Sequence, residues 1–166
     1  MKTPKTILII CISFFLVMCN KEEDVDTHFT FSVDGGQEFE MTRSTVSYGS
    51  ELSSLYISGN DFGGSNKTVT ISLFGFPENA TGSFNGYDYT TSTWSLYYSK
   101  SAGDTYHSTD WGSNAGALPS PVIVITEHND RYVKGTFSGS LINAARNKDD
   151  VVNIEGSFLA EYINRD

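Results

Sequence analysis

The stretch Val133–Leu141, Val-Lys-Gly-Thr-Phe-Ser-Gly-Ser-Leu, decides the fold of this chain. Apolar or small residues occupy one set of alternate positions, and Lys, Thr and Ser occupy the other. Such alternation is typical of a β-strand with one buried and one exposed face. The segment Val152–Tyr162 repeats the pattern after a polar loop at Asn143–Asp150. The sequence therefore predicts two long neighbouring strands.

The remainder of the chain carries the same signal. Phe29–Thr42 reads as a hairpin, and Val69–Leu73 alternates. Val122–Ile125 is a continuous apolar run, which predicts a central strand covered on both faces. No stretch sustains a 3.6-residue period. We predict an all-β domain over residues 28–166, either an antiparallel β-sandwich or a partly closed β-barrel, with about nine to eleven strands.

Three short units share the order glycine, hydroxyl residue, phenylalanine: Gly82-Ser83-Phe84, Gly135-Thr136-Phe137 and Gly156-Ser157-Phe158. Their spacing is irregular, so they do not define a repeat array. We predict that each Phe enters the core while each Gly allows a neighbouring strand or ring to approach closely.

The N-terminus predicts export and lipidation. Lys2 and Lys5 precede an apolar run from Ile7 to Met18. This run of about a dozen residues is shorter than the ~20 needed to cross a membrane as a helix. Leu16-Val17-Met18-Cys19 resembles the lipobox of bacterial lipoproteins. We therefore predict a signal peptide at residues 1–18 and a lipid on Cys19; the alternative is an ordinary secretory signal with an incidental cysteine.

The residues after Cys19 indicate where in the cell the protein is located. Asn20-Lys21-Glu22-Glu23 resembles the export tag of surface lipoproteins in Bacteroidetes-type bacteria. That resemblance implies an outer-membrane, lipid-anchored protein that faces the cell exterior. Residues 19–27 are expected to form an acidic, flexible tether. The alternative interpretation is that these residues act only as a tether and that the lipid anchor faces the periplasm.

The net charge limits the classes of possible partner, and the cysteine content limits the possible disulfides. The formal net charge is −9, and loss of Lys2 and Lys5 with the signal would move it to −11. An acidic chain is a poor match for nucleic acid or anionic lipid head groups, so membrane attachment is expected through acyl chains alone. The other cysteine, Cys11, lies in the signal, so no disulfide is expected in the mature chain.

Two stretches carry a family resemblance. Phe29–Gly35 contains Val-Asp-Gly, and Ile125–Gly139 contains Lys-Gly-Thr-Phe-Ser-Gly. Together with the late Gly-Ser-Phe strand, they resemble small Bacteroidetes lipoproteins of unknown function. The resemblance implies an all-β lipoprotein and brings no catalytic residues.

The sequence offers little catalytic chemistry. His28, His107 and His128 lack metal-ligand spacing, and there is no Gly-x-Ser-x-Gly elbow. We predict no enzymatic activity, no cofactor and no metal site. The alternative to the absence of a metal site is a bound calcium ion, because oxygen ligands occur in predicted loops at Asn60-Asp61 and between Asp104 and Asp110.

The aromatic segment from Gly86 to Trp111 is the candidate binding site. Exposed Tyr and Trp rings can stack on sugar rings while neighbouring polar groups bind hydroxyls. Tyr97, Tyr106 and Trp111 are the rings expected to be exposed, and Trp94 completes the tentative ligand-binding set. Core packing of these rings is the competing interpretation.

These observations favour a non-catalytic binding module on the cell surface that holds a glycan or another extracellular ligand. The alternative is a protein partner: an interaction or immunity-type lipoprotein, or a structural subunit of an envelope assembly. Exposure of the aromatic segment distinguishes the two classes.

Replacing Cys19 with Ser tests the anchor. Since a thioether-linked lipid requires the cysteine sulfur, we expect the variant to lose palmitate labelling and to move from the membrane to the soluble fraction. Cys11→Ser, which alters only the predicted signal, is the control and should remain membrane-bound. A Cys19→Ser protein that stays with the membrane would refute lipidation.

Overall fold

The computed structural model describes residues 24–49, 53–61, 66–77, 79–85, 94–108, 121–143 and 150–163. The predicted signal at residues 1–18, Cys19 and Trp111 lie outside the described residues. In the described ranges, no helix is long and apolar enough to cross a membrane.

The described ranges contain eleven strands, and the prediction of an all-β fold is confirmed. The strands are β1 (His28–Val33), β2 (Phe39–Glu40), β3 (Arg43–Gly49), β4 (Ser54–Asn60), β5 (Thr68–Leu73), β6 (Gly82–Asn85), β7 (Trp94–Ser101), β8 (Asp104–His107), β9 (Val122–His128), β10 (Tyr132–Asn143) and β11 (Val151–Tyr162).

The strands form two layers that are joined at two corners. The first layer has the order β2-β1-β11-β10-β9-β6, and the second has the order β3-β4-β5-β7-β8. At one corner the end of β11 pairs in parallel with β3 through Glu161 and Thr45. At the other corner the end of β10 pairs with β8 through Ile142 and His107. These short junctions connect the two layers into one continuous hydrogen-bonded sheet, which is not a clean barrel.

The expected hairpin at Phe29–Thr42 is present as β1 and β2, with Phe31 opposite Phe39. Asp34 and Gly35 have φ angles of 52° and 65°, and the Gly36 amide donates to the Val33 carbonyl at 2.9 Å. Positive φ at both central residues is the geometry of a type I′ turn, which suits the twist of a hairpin. Asp-Gly is a favoured sequence for that turn.

The core joins both layers around three phenylalanines. Phe29 lies 5.4 Å from Phe137 and 6.0 Å from Phe158, measured between ring centroids, and all three rings are buried. Phe29 also reaches the second layer, where a Cβ on Gly59 would lie 2.5 Å from the Phe29 Cγ. Phe31 meets Tyr98 of β7 edge-on at 5.5 Å. The two layers of this one eleven-stranded sheet therefore face each other across the core.

Across the long strands β10 and β11, a glycine of each strand lies opposite a phenylalanine of the other; we call this arrangement the glycine–phenylalanine exchange. Gly135 lies opposite Phe158, and Gly156 lies opposite Phe137. A Cβ on Gly135 would lie 2.8 Å from the Phe158 Cζ, and one on Gly156 would lie 2.7 Å from the Phe137 Cζ. Each glycine thus leaves room for the ring on the partner strand, as predicted.

The third unit, Gly82-Ser83-Phe84, differs from the other two. Phe84 packs on Phe76 with 4.9 Å between ring centroids, but a Cβ on Gly82 would meet no atom within 4 Å. The φ of Gly82 is 144°, so backbone conformation accounts for this glycine.

Gly156→Ala tests the exchange. The new methyl group would meet both the Phe137 ring and the Thr30 carbonyl, so we expect a loss of about 1–3 kcal/mol in the free energy of unfolding. Gly49→Ala is the control, because its Cβ would have ordinary contacts at 3.9 Å. Denaturant titration of both variants measures the difference, and equal stability would contradict the packing role of Gly156.

Candidate functional site

A depression of about 680 Å³ opens on the outer face of the first layer. We call it the outer-face depression. Its lining residues come from β1, the β1–β2 turn, β9, β10 and β11: Thr30, Phe31, Ser32, Gly35, Gly36, Glu38, Val122, Val124, Thr136, Phe137, Ser138, Glu155, Gly156 and Ser157.

Strand alternation explains why hydroxyl groups line this surface. In β1, β10 and β11 the large apolar residues point into the core, so the intervening Ser and Thr residues point outward. Thr30, Ser157 and Thr136 are adjacent in cross-strand register, and the Thr30 and Ser157 hydroxyl oxygens are 3.2 Å apart. The result is a row of short donors and acceptors across three strands.

A second row places a carboxylate between two serines. Ser32 and Ser138 lie opposite Glu155 on its two neighbouring strands. The Ser32 hydroxyl donates to Glu155 Oε1 at 3.5 Å, which leaves most of the carboxylate's acceptor capacity open to a ligand.

The β1–β2 turn forms one end of the depression. Asp34 Oδ1 accepts a hydrogen bond from the Asn153 backbone amide at 2.8 Å, which ties the turn to β11. Gly35, Gly36 and Glu38 follow it in the lining. A smaller cavity of about 250 Å³ adjoins this end and shares Gly35 and Glu155 with it.

The apolar part of the lining comes from β9. The run Val122–Ile125 was expected to be covered on both faces. Ile123 and Ile125 are indeed buried, but Val122 and Val124 are half-buried and line the depression. The expectation was therefore wrong for one face, because no second layer packs outside β9 in the described ranges.

The charges of the described lining are acidic. Glu38 and Glu155 are its ionisable residues, and it contains no Lys or Arg. Lys134, further along β10 on the same face, forms an ion pair with Glu127 at 3.0 Å. Hydrogen bonds from Lys134 and then Tyr132 hold the pKa of Glu127 below its usual range. The depression therefore presents hydroxyls, carboxylates and valine side chains.

One residue of the predicted aromatic site is buried. Tyr106 was expected to be exposed, and that expectation is wrong, since its side chain is 5% exposed. The segment Asp104–His107 is a strand rather than a loop, so alternation turns Tyr106 inward, where it stacks on Tyr98 at 5.8 Å. A buried ring cannot act as a stacking platform for a sugar.

The other three predicted residues have different outcomes. Tyr97 is half-buried on the outer face of the second layer and meets His107 edge-on, with ring centroids 4.8 Å apart. Trp94 begins β7 opposite Leu73, although its side chain lies outside the described part of the chain. Trp111 lies wholly outside it. Of the two described rings, Tyr97 lies on the outer face and Tyr106 points into the core, so these two do not share a surface.

Tyr106 belongs instead to a polar cluster at the β8–β10 corner. Asn143 is 3% exposed, and its side-chain amide donates to Asp104 Oδ1 and Asp150 Oδ2, each at 3.0 Å. The Tyr106 hydroxyl donates to Asp150 at 3.4 Å. Asn143, predicted to begin a loop, is thus the buried end of β10, and the cluster holds the corner together.

Burial also changes the ionisation of the tyrosines. Desolvation, followed by the charges of Tyr106 and Asp104, raises the pKa of Tyr98 to about 12. Desolvation is the main cause that raises the pKa of Tyr106 as well. Both phenols are therefore neutral parts of the packed structure at physiological pH.

Two of the residues considered for calcium, Asn60 and Asp104, lie at strand ends and form hydrogen bonds within the fold, and Asp110 lies outside the described residues. Asn60 accepts from Thr68 at 3.2 Å and donates to Ser58 at 2.9 Å, while Asp104 accepts from Asn143. Across the described ranges, no three His, Cys, Asp or Glu side chains converge as metal ligands would.

Comparison with known proteins gives no match: no family model, no curated protein and no solved structure is significantly similar to this chain. The geometry of the depression is therefore the basis for assigning a function.

An alkaline titration tests the burial of Tyr98. A phenol that ionises near pH 10 when unfolded but near 12 when folded stabilises the folded state below pH 10. We expect this stabilisation to be lost as the pH rises from 10 to 12. Tyr98→Phe should remove a component near pH 12 from the 295 nm absorbance titration, and Tyr106→Phe should shift that component downward. Loss of a component centred on pH 10 in Tyr98→Phe would contradict this assignment.

Proposed function

We propose that the protein is a surface lipoprotein, anchored through Cys19, that binds a glycan without chemically altering it. The observation that carries this proposal is the outer-face depression, in which hydroxyls, carboxylates and half-buried valines share one surface. The predicted aromatic platform is not required, and the buried Tyr106 is excluded from it.

The lining suits a sugar because a sugar has two kinds of surface. Its hydroxyls need donors and acceptors, and the Ser and Thr side chains supply both while Glu38 and Glu155 accept. Its C–H faces need apolar contact, which Val122 and Val124 can provide. A ligand with only one of these properties would leave part of the lining unmatched.

The open shape favours binding over catalysis. Active sites commonly exclude water from the reacting groups, whereas this depression lies on the outside of a sheet and is open to solvent. An extended chain of sugars can lie across such a surface without a lid or a closed cavity.

The direction of β1 supports access from outside the cell. Residues 19–27 would connect the lipid to His28, where β1 begins, and β1 then runs to the turn at Asp34. Gly35, Gly36 and Glu38 therefore form the end of the depression furthest along β1 from the tether. An anchored domain would present that end away from the membrane.

A protein partner is the second candidate function. The end strands of the first layer disfavour partner binding by strand addition, because β2 has two residues and β6 has four. Short end strands are a common protection against such pairing.

Ser138→Tyr tests the depression. Ser138 is exposed at its centre on β10, so a tyrosine should fold normally while filling the space. On a glycan array, we expect a loss of about tenfold or more in affinity, equivalent to about 1.4 kcal/mol. Ser47→Tyr makes the same change at an exposed strand position of the second layer and should bind like the wild type.

The array also separates the candidates. No glycan bound by the wild type would reject the proposed function and leave the protein partner. Glycan binding that survives Ser138→Tyr but is lost in Tyr97→Ala would move the site to the outer face of the second layer.

A further inference from the structure

The acidic groups around the outer-face depression lie on the same side as its hydroxyls. Glu155 is central, between Ser32 and Ser138 in cross-strand register. Glu40 lies opposite Thr30 in the β1–β2 pair, so both side chains project from the same face. Glu38, two residues earlier, enters the lining directly.

The basic residues that the structure describes near this surface do not offset that charge. Lys134 lies on the same face of β10 but is paired with Glu127. Lys67 approaches the hairpin, where its Nζ lies 4.5 Å from the centroid of the Phe39 ring. Phe39 packs on the buried Phe31 ring at 5.2 Å, so Lys67 lies on the core-facing side of β2, away from the depression.

We infer, on the basis of the proposed function, that Glu155 is a specificity-determining residue that restricts the ligand to glycans without carboxylate or sulfate groups. A neutral sugar hydroxyl can donate to the Glu155 carboxylate. An acidic sugar would place like charges together with no cation in the described lining to compensate, and like-charge contact is a common means of rejecting a wrong ligand. An amine-bearing sugar would be accepted.

The test compares three oligosaccharides of equal length: a neutral oligoglucose, an oligouronate and an oligoglucosamine. With wild-type protein at low ionic strength, we expect the oligouronate to bind at least about fivefold more weakly than the neutral oligomer. This corresponds to about 1 kcal/mol for two unit charges ~4 Å apart in water. The oligoglucosamine should bind at least as well as the neutral oligomer.

Glu155→Gln should reduce the difference between the neutral and acidic oligomers to about twofold or less, because it removes the charge and keeps the shape. Glu161→Gln is the matched control: it lies on the same strand and face, is exposed, and is not part of the lining. It makes the same change in net charge and should leave the wild-type discrimination intact.

The outcomes are distinguishable. If the wild type binds none of the three oligomers at any ionic strength, this inference is overturned; the proposed function fails as well if the array also shows no bound glycan. If the neutral and acidic oligomers bind equally well, the depression can still hold glycans, but the charge selectivity is refuted. Equal effects of Glu155→Gln and Glu161→Gln would assign the selectivity to overall charge and overturn the role of Glu155.

Discussion

The close pairing of β10 with β11 is the constraint on which the rest of the structure depends. Their register is unbroken from Tyr132–Glu161 to Ile142–Val151, and the glycine–phenylalanine exchange seats two rings in the core at its centre. A side chain in place of either glycine would push the opposing phenylalanine ring away from the strand that it covers. The same two strands also carry both corner junctions, so a shift in their register would disconnect the two layers.

Core and candidate site are built by alternate residues of the same strands, β1, β10 and β11. Phe29, Phe137 and Phe158 each have at least one neighbouring hydroxyl residue in the chain, which must point outward because strand side chains alternate. The row formed by Thr30, Ser157 and Thr136 is therefore a direct consequence of how Phe29, Phe158 and Phe137 are buried. The outer face and the packed core can therefore be altered separately by substitutions at adjacent positions.

Local pattern was enough to predict the all-β class, the first hairpin and the role of Gly135 and Gly156. It could not predict which outer faces lack a covering layer, since that depends on how the sheets pack; hence Val122 and Val124 were expected to be fully covered. Tyr106 was placed in an exposed loop because Asp104–His107 has only four residues, too few to show alternation within a Gly- and Ser-rich region. Asn143 gave no signal, because its burial depends on Asp104 and Asp150, which are distant or loop residues.

The position of β11 in the chain has a consequence for how the protein reaches its native state. β1 pairs with β11 across more than a hundred residues of sequence, and β11 also joins β10 and β3. Until β11 has been made, β1 has only the two-residue β2 beside it in the described structure. Contacts this distant in sequence slow folding, since the loop between them must close first. The core therefore cannot be completed until β11, the last strand of the described chain, is available to join β1, β10 and β3.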